Sequence, residues 1–152
     1  MRIGTRLGLE MLCGILLCAS AYGQIASRPQ RDLFAAVNKV RQEYGLPALR
    51  WDTSLAVAAQ RHAVVMTEHW SAQHQFEGEP SLSARVKQAG GHFSWLAENV
   101  TQGPNYEFIH EQFMHSPSHR ANILDREMNS IGIGVVERGG QLFAVEDFSQ
   151  VK

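Results

Sequence analysis

Two β-prone runs near the C-terminus, Ser130–Glu137 and Gln141–Phe148, are separated only by Arg138-Gly139-Gly140. Glycine reaches positive φ without steric cost, so the glycine pair closes a tight antiparallel hairpin. Ahead of it the periodicity is helical. Such a chain folds by laying helices against the hairpin's sheet, which predicts one α+β domain.

Leu33, Val37, Val40 and Tyr44 recur at steps of four, three and four, predicting a helix over about Asp32–Tyr44 that Gly45 terminates. Leu46–Trp51 reads as an extended connector rich in large apolar residues. A second helix starts near Asp52-Thr53-Ser54, any of which can cap it, and runs to about Glu68. Leu55, Ala58, Ala59, His62, Ala63 and Met66 share its inner face, and the alanines permit close approach of another layer. His62 reads as a packed histidine rather than a ligand. Residues His69 to Ser81 read as a long loop carrying His69 and His74, with Gly78 and Pro80 as punctuation. A short helix over Ser81–Ala89 ends at Gly90-Gly91, and Ala97–Thr101 begins a strand. Asn105 caps a helix over Tyr106–His115 that turns Tyr106, Ile109 and Phe113 inward.

Residues 1–23 have the form of a signal peptide. Arg2 and Arg6 make a basic start, Leu7–Ser20 is mostly apolar, and Ala21-Tyr22-Gly23 offers small residues for cleavage. The apolar run is too short to span a bilayer. Ile25–Gln30 then reads as a polar, Pro-containing stretch of a flexible lead-in over residues 24–31, with the domain over residues 32–152 and no transmembrane segment in the mature chain. The expected location is secreted or periplasmic. Cys13 and Cys18 both fall in the leader, so the mature chain relies on its core and not on disulfides. Removing Arg2, Arg6 and Glu10 changes 14 basic and 15 acidic residues to 12 and 14, a net charge of −2. That balance gives no electrostatic attraction to nucleic acid or an anionic membrane.

His110-Glu111 with His115 resembles the zinc-peptidase pattern H-E-x-x-H, but the second histidine is one residue late. Five residues turn a helix by about 500°, leaving the rings roughly 140° apart around the axis, so they do not share a metal and read as solvent-facing. His115 and His119 are four apart, but Pro117 interrupts the helix between them. His119 thus sits just past a forced break, where rigid neighbours can aim a side chain into a cleft. Among the remaining groups, His74, Glu98 and His119 form a trio that only tertiary structure can assemble.

Taken together, Asn38-x-x-Arg41-x-x-x-Gly45-Leu46-Pro47-x-Leu49-x-Trp51, Leu55 with Ala58-Ala59, His74, Ala97-Glu98-Asn99-Val100, Ser116-Pro117-x-His119-Arg120-x-Asn122-Ile123-Leu124 and Ile131-Gly132-Ile133-Gly134 resemble the CAP superfamily of cysteine-rich secretory, antigen 5 and pathogenesis-related 1 proteins, also called the SCP domain. The resemblance runs from about Leu33 to Phe148, and the cysteine-free mature chain is similar to the bacterial branch. It implies a three-layer α-β-α sandwich around a small antiparallel sheet. It also implies a central cleft of His74, Glu98, Ser116, His119 and Arg120. Ser116 falls near the position where animal and plant members carry a second glutamate. In some members the two histidines bind a divalent metal, so His74 and His119 are candidate ligands for Zn²⁺ or another divalent cation. Arg120 would neutralise a nearby carboxylate, and Asn99 and Asn122 would tie loops to the backbone.

Two functions follow as expectations. The first is a secreted binding module for a small apolar ligand, an envelope component or a protein partner. The alternative is a metal-dependent hydrolase with His74 and His119 as ligands and Glu98 as general base.

Overall fold

The computed structural model describes residues 26–151. The expected signal peptide lies outside that range. Helix α1 (Arg28–Glu43) begins four residues before the sequence expectation, so residues 28–31 are helical and not part of a lead-in. Pro29 in its first turn has no N–H to waste there, and the Gln30 side chain turns back to accept from the Ser27 N–H at 2.6 Å. The chain continues through β1 (Arg50–Trp51), α2 (Thr53–His69), α3 (Leu82–Gln88), β2 (Trp95–Gly103), α4 (Tyr106–His115), α5 (Pro117–Ile123), β3 (Ser130–Arg138) and β4 (Gln141–Gln150). Asp52, Ser81 and Asn105 cap α2, α3 and α4 with their side-chain oxygens.

The sheet order is β1-β3-β4-β2. β3 and β4 form the expected hairpin, with Gly139 and Gly140 at φ 57° and 76°, and β2 adds antiparallel to β4. The expected antiparallel sheet is extended by one element: the Arg50–Trp51 connector pairs parallel with Ser130–Ile131. Beyond that short strand the outer edge of β3 is closed by side chains. Gln60 accepts from the Val135 N–H and donates to its carbonyl, and Gln30 donates to the Ile133 carbonyl at 2.7 Å.

Helices cover both faces. On one, Ile131, Ile133 and Phe148 pack with Leu33 and Val37 of α1, Ile109 and Phe113 of α4, and Ile123 of α5. Each such fully buried side chain contributes about 2 kcal/mol. On the other, Val100, Phe143 and Val145 meet Ala59, Ala63 and Met66 of α2. The Gly-Ile-Gly spacing of β3 serves both layers. Its isoleucines face α1 and α4, while a Cβ on Gly132 or Gly134 would lie 2.0 Å from the Ala56 nitrogen or 2.2 Å from the Ala59 carbonyl carbon. Helix α2 therefore rests on the strand backbone, which the alanine-rich face of α2 permits. The result is the expected three-layer α-β-α sandwich, and no helix among the described residues is long and apolar enough to cross a membrane.

Two helical expectations change. Tyr44 is 51% exposed and not on the inner face of α1; Arg41, fully buried, takes that place. Its guanidinium donates to the carbonyls of Pro47, Ile123, Asp125 and Met128, which binds α1 to the end of α5 and the approach to β3. Pro117 does end α4, but it also opens α5 at the first helical position, where its fixed φ and missing N–H cost nothing.

Candidate functional site

β2 is an edge strand, and two elements from opposite layers meet over it: the loop 70–81 between α2 and α3, and helix α5. Alternation on β2 sends Glu98 to the α2 side and Asn99 to the α5 side.

Glu98 is held from both ends. Its Oε1 faces His74 Nδ1 at 2.9 Å, and its Oε2 accepts from Arg85 of α3 in a buried pair. The Arg85 and Glu98 side chains are 5% and 4% exposed. Arg85 also donates to the carbonyls of His74 and Pro80, so one guanidinium fixes both the carboxylate and the loop that bears His74. His62, with 0% of its side chain exposed, faces Glu79 Oε1 at 2.6 Å through Nδ1 and the Gln73 carbonyl at 2.8 Å through Nε2. As read from the sequence, His62 is a packed histidine; it anchors the loop from beneath.

On the other side of β2, Asn99 donates to the His119 carbonyl at 3.2 Å and to Glu146 Oε2 at 3.1 Å. Asn122 donates to Asn99 Oδ1 at 2.9 Å and to the Glu98 carbonyl at 3.4 Å. The two asparagines thus tie α5 to the strand, and Phe113 supports the His119 ring edge-on at 5.2 Å. His74 and His119 come together with ring centroids 6.5 Å apart. His74, 61% exposed, is titrated upward by its bond to Glu98 against the opposing effect of burial. His119 is lowered, first by burial and then by the nearby His74.

Other predicted members do not join. Arg120 turns away from the carboxylates, donates to the Tyr44 hydroxyl at 2.6 Å and stacks over that ring. The carboxylate is neutralised by Arg85 instead, for which the sequence carried no spacing signal because α3 and β2 meet only in three dimensions. Ser116 stands at the N-cap position of α5 without a side-chain cap bond, and its hydroxyl faces Ser118 Oγ at 3.2 Å. His115 is exposed as expected, but His110 is half-buried, and burial lowers its pKa.

The donor set does not fit a resident three-ligand metal. Zn²⁺ sites use at least three protein ligands, and Glu98 has both oxygens engaged. Among the described residues, no three His, Cys, Asp or Glu side chains are placed to hold an ion. Glu98 instead orients His74 by its Nδ1, leaving Nε2 as the nitrogen that can meet a ligand.

A second concavity lies between α1 and α4. It is an open groove of about 600 Å³ whose apolar lining includes Ala35, Ala36, Val40, Tyr106 and Met114.

A sandwich of this order, with paired histidines and a Glu-Asn strand at its edge, defines the CAP class of domain. The sequence matches the Cysteine-rich secretory protein family over residues 34–148, and the chain belongs to that family. It is similar to the uncharacterised protein YkwD of Bacillus subtilis, 29% identical over 111 residues that make up 72% of this chain and 43% of that protein. Among solved structures it resembles an extracellular SCP-domain protein from Bacillus anthracis (TM-score 0.75, 22% identity, 81% of this chain and 40% of that one). It also resembles an outer surface protein from Borrelia burgdorferi (TM-score 0.76, 19% identity, 84% of this chain and 97% of that one). The chain spans less than half the length of the Bacillus relatives.

Proposed function

We propose that this chain is an exported binding domain whose ligand is a small apolar molecule lodged between α1 and α4. The observation that carries the reading is the groove itself. Its volume of about 600 Å³ is in the range of small-molecule sites, and its walls come from two helices fixed by the core. The signal-peptide pattern of residues 1–23 supports export, as does the likeness to extracellular and outer-surface bacterial proteins.

The hydrolase alternative asks Glu98 to act as general base. A base needs a lone pair aimed at the proton it takes, and both Glu98 oxygens are engaged by His74 and Arg85. That geometry favours the binding reading.

Competition for a fluorescent apolar probe tests it. Dodecanol is expected to displace the probe from the native protein, and Ala36→Trp, which fills the groove, to weaken probe binding at least tenfold while the fold is retained by circular dichroism. Equal binding by the native and Ala36→Trp proteins would overturn the assignment.

A further inference from the structure

Beneath the cleft, β4 carries a second acid directly opposite Glu98. The register pairs Asp147 with Glu98 of β2 on one side and with Gly132 of β3 on the other. Residues opposite one another share a face of the sheet, and Gly132 lies under α2, so Asp147 points to the α2 side as Glu98 does. Asp147 is 0% exposed, and neither of its oxygens meets a hydrogen-bond donor. Its neighbours explain why. Gly132 has no side chain, Leu55 of α2 packs over that glycine, and the Asn99 amide belongs to the opposite face. The charged and titratable groups around the pair already have partners. On α3, Arg85 uses its terminal nitrogens on Glu98 and on the His74 and Pro80 carbonyls, and its Nε is buried without a partner, so the guanidinium does not bond Asp147. On α2, His62 faces Glu79 and the Gln73 carbonyl, and in the loop 70–81 His74 faces Glu98.

An ionised carboxylate sealed away with no donor is among the costliest groups to bury. A carboxylic acid is far less so when its own O–H finds an acceptor, and the Glu98 side chain lies within hydrogen-bond reach. A carboxylate has about four lone-pair sites, so Glu98 has room for a third bond beside its contacts with His74 and Arg85. We infer that Asp147 stands in the folded protein as the neutral acid and donates its O–H to Glu98, a latch that ties the central strand β4 to the carboxylate orienting His74. Asp147 is thus a positioning residue that acts on His74 through Glu98. Burial, and after it the charge of Glu98, hold Asp147 well above the ordinary carboxyl range, against the opposing effect of Arg85. Loss of the proton sets two carboxylates face to face beside one guanidinium, and the latch opens. The folded chain keeps a proton that the unfolded chain releases. This contribution to stability is therefore full below the ordinary value of 3.8 and is lost as pH rises through the raised one.

Carbon-13 NMR of the side-chain carboxyls tests the latch, with the Asp147 resonance assigned by its loss in Asp147→Asn. At about pH 7 that resonance is expected at the position of a protonated acid, where exposed aspartates are ionised. A carboxylate-type resonance there overturns the proposal. Glu98→Gln removes the neighbouring charge and frees Arg85, so it should lower the Asp147 midpoint by at least about one pH unit; an unmoved midpoint overturns the link to Glu98. Asp147→Asn keeps a donor for Glu98 and should leave the His74 ring resonances in place, whereas Asp147→Leu removes the donor and should shift them. Unmoved His74 signals in the Leu variant, or equal shifts in both, overturn the positioning role. In a Glu146→Gln background, which silences the other buried acid of β4, Asp147→Asn should flatten the fall of the denaturant midpoint as pH rises above about 4. Parallel profiles with and without that substitution would place no titrating proton on Asp147.

Discussion

Arg85 and Glu98 form a buried ion pair that joins α3 to the edge strand β2 and fixes the orientation of His74. Neither residue touches the groove. The pair serves the loop above the sheet, and its removal should be felt first as stability.

Breaking a buried pair leaves the surviving charge without a partner, so Arg85→Met is expected to cost about 3 kcal/mol in denaturant unfolding. The double variant Arg85→Met/Glu98→Leu should recover part of that loss, because Glu98 is then not stranded, while the buried Glu79, 3.6 Å from Arg85, still loses that neighbour. A double variant no better than Arg85→Met alone would show that the pair is not the source of the cost.

The two histidines should titrate on opposite sides of the ordinary value of 6.5, His74 above it and His119 below it. The stabilising contribution of His74 is full below pH 6.5 and is lost as pH rises through its raised pKa. The contribution of His119 is full above pH 6.5 and is lost as pH falls through its depressed pKa. Imidazole proton shifts followed by NMR give both midpoints. Glu98→Gln should bring the His74 midpoint down; an unmoved midpoint would contradict the assigned cause.

Glu146 is fully buried on β4, and burial pushes its pKa from 4.5 up to about 8, against the lowering effect of its bond from Asn99. The folded state therefore holds a proton that the unfolded chain has released, and stability should fall as pH rises from about 4.5 to 8. Glu146→Gln keeps the acceptor for Asn99 and removes the titration. Its unfolding free energy should be flatter over that window and higher than native by about 2 kcal/mol near pH 8. Parallel pH profiles for the two proteins would refute this.

Arg41 is expected to be more costly to truncate than its place in a surface-type helix suggests. Arg41→Met leaves carbonyls of Pro47, Ile123, Asp125 and Met128 without their donor inside the protein. A loss of about 3 kcal/mol in chemical unfolding is expected, with α5 amides exchanging fastest relative to native.

Most of the elements are legible in the residues themselves, because their signals are local. Gly139-Gly140 could turn only one way, Asp52 and Asn105 sat where helices need acceptors, and the alanines of α2 faced the glycines of β3 at matching periods. The chain also carried enough ordered motifs to indicate the family, and it supplied His74, Glu98 and His119. Helix α5 was hidden because proline both stops and starts helices, and which it does depends on the residues packed after it. The partners of the long side chains came from three-dimensional packing. Arg85 reaches Glu98 and Arg120 reaches Tyr44, although Arg120 lies beside His119 in the chain, because a long cationic side chain goes to whichever acceptor its own helix face presents. The groove likewise exists only where α1 and α4 lie side by side, joining residues far apart in the chain.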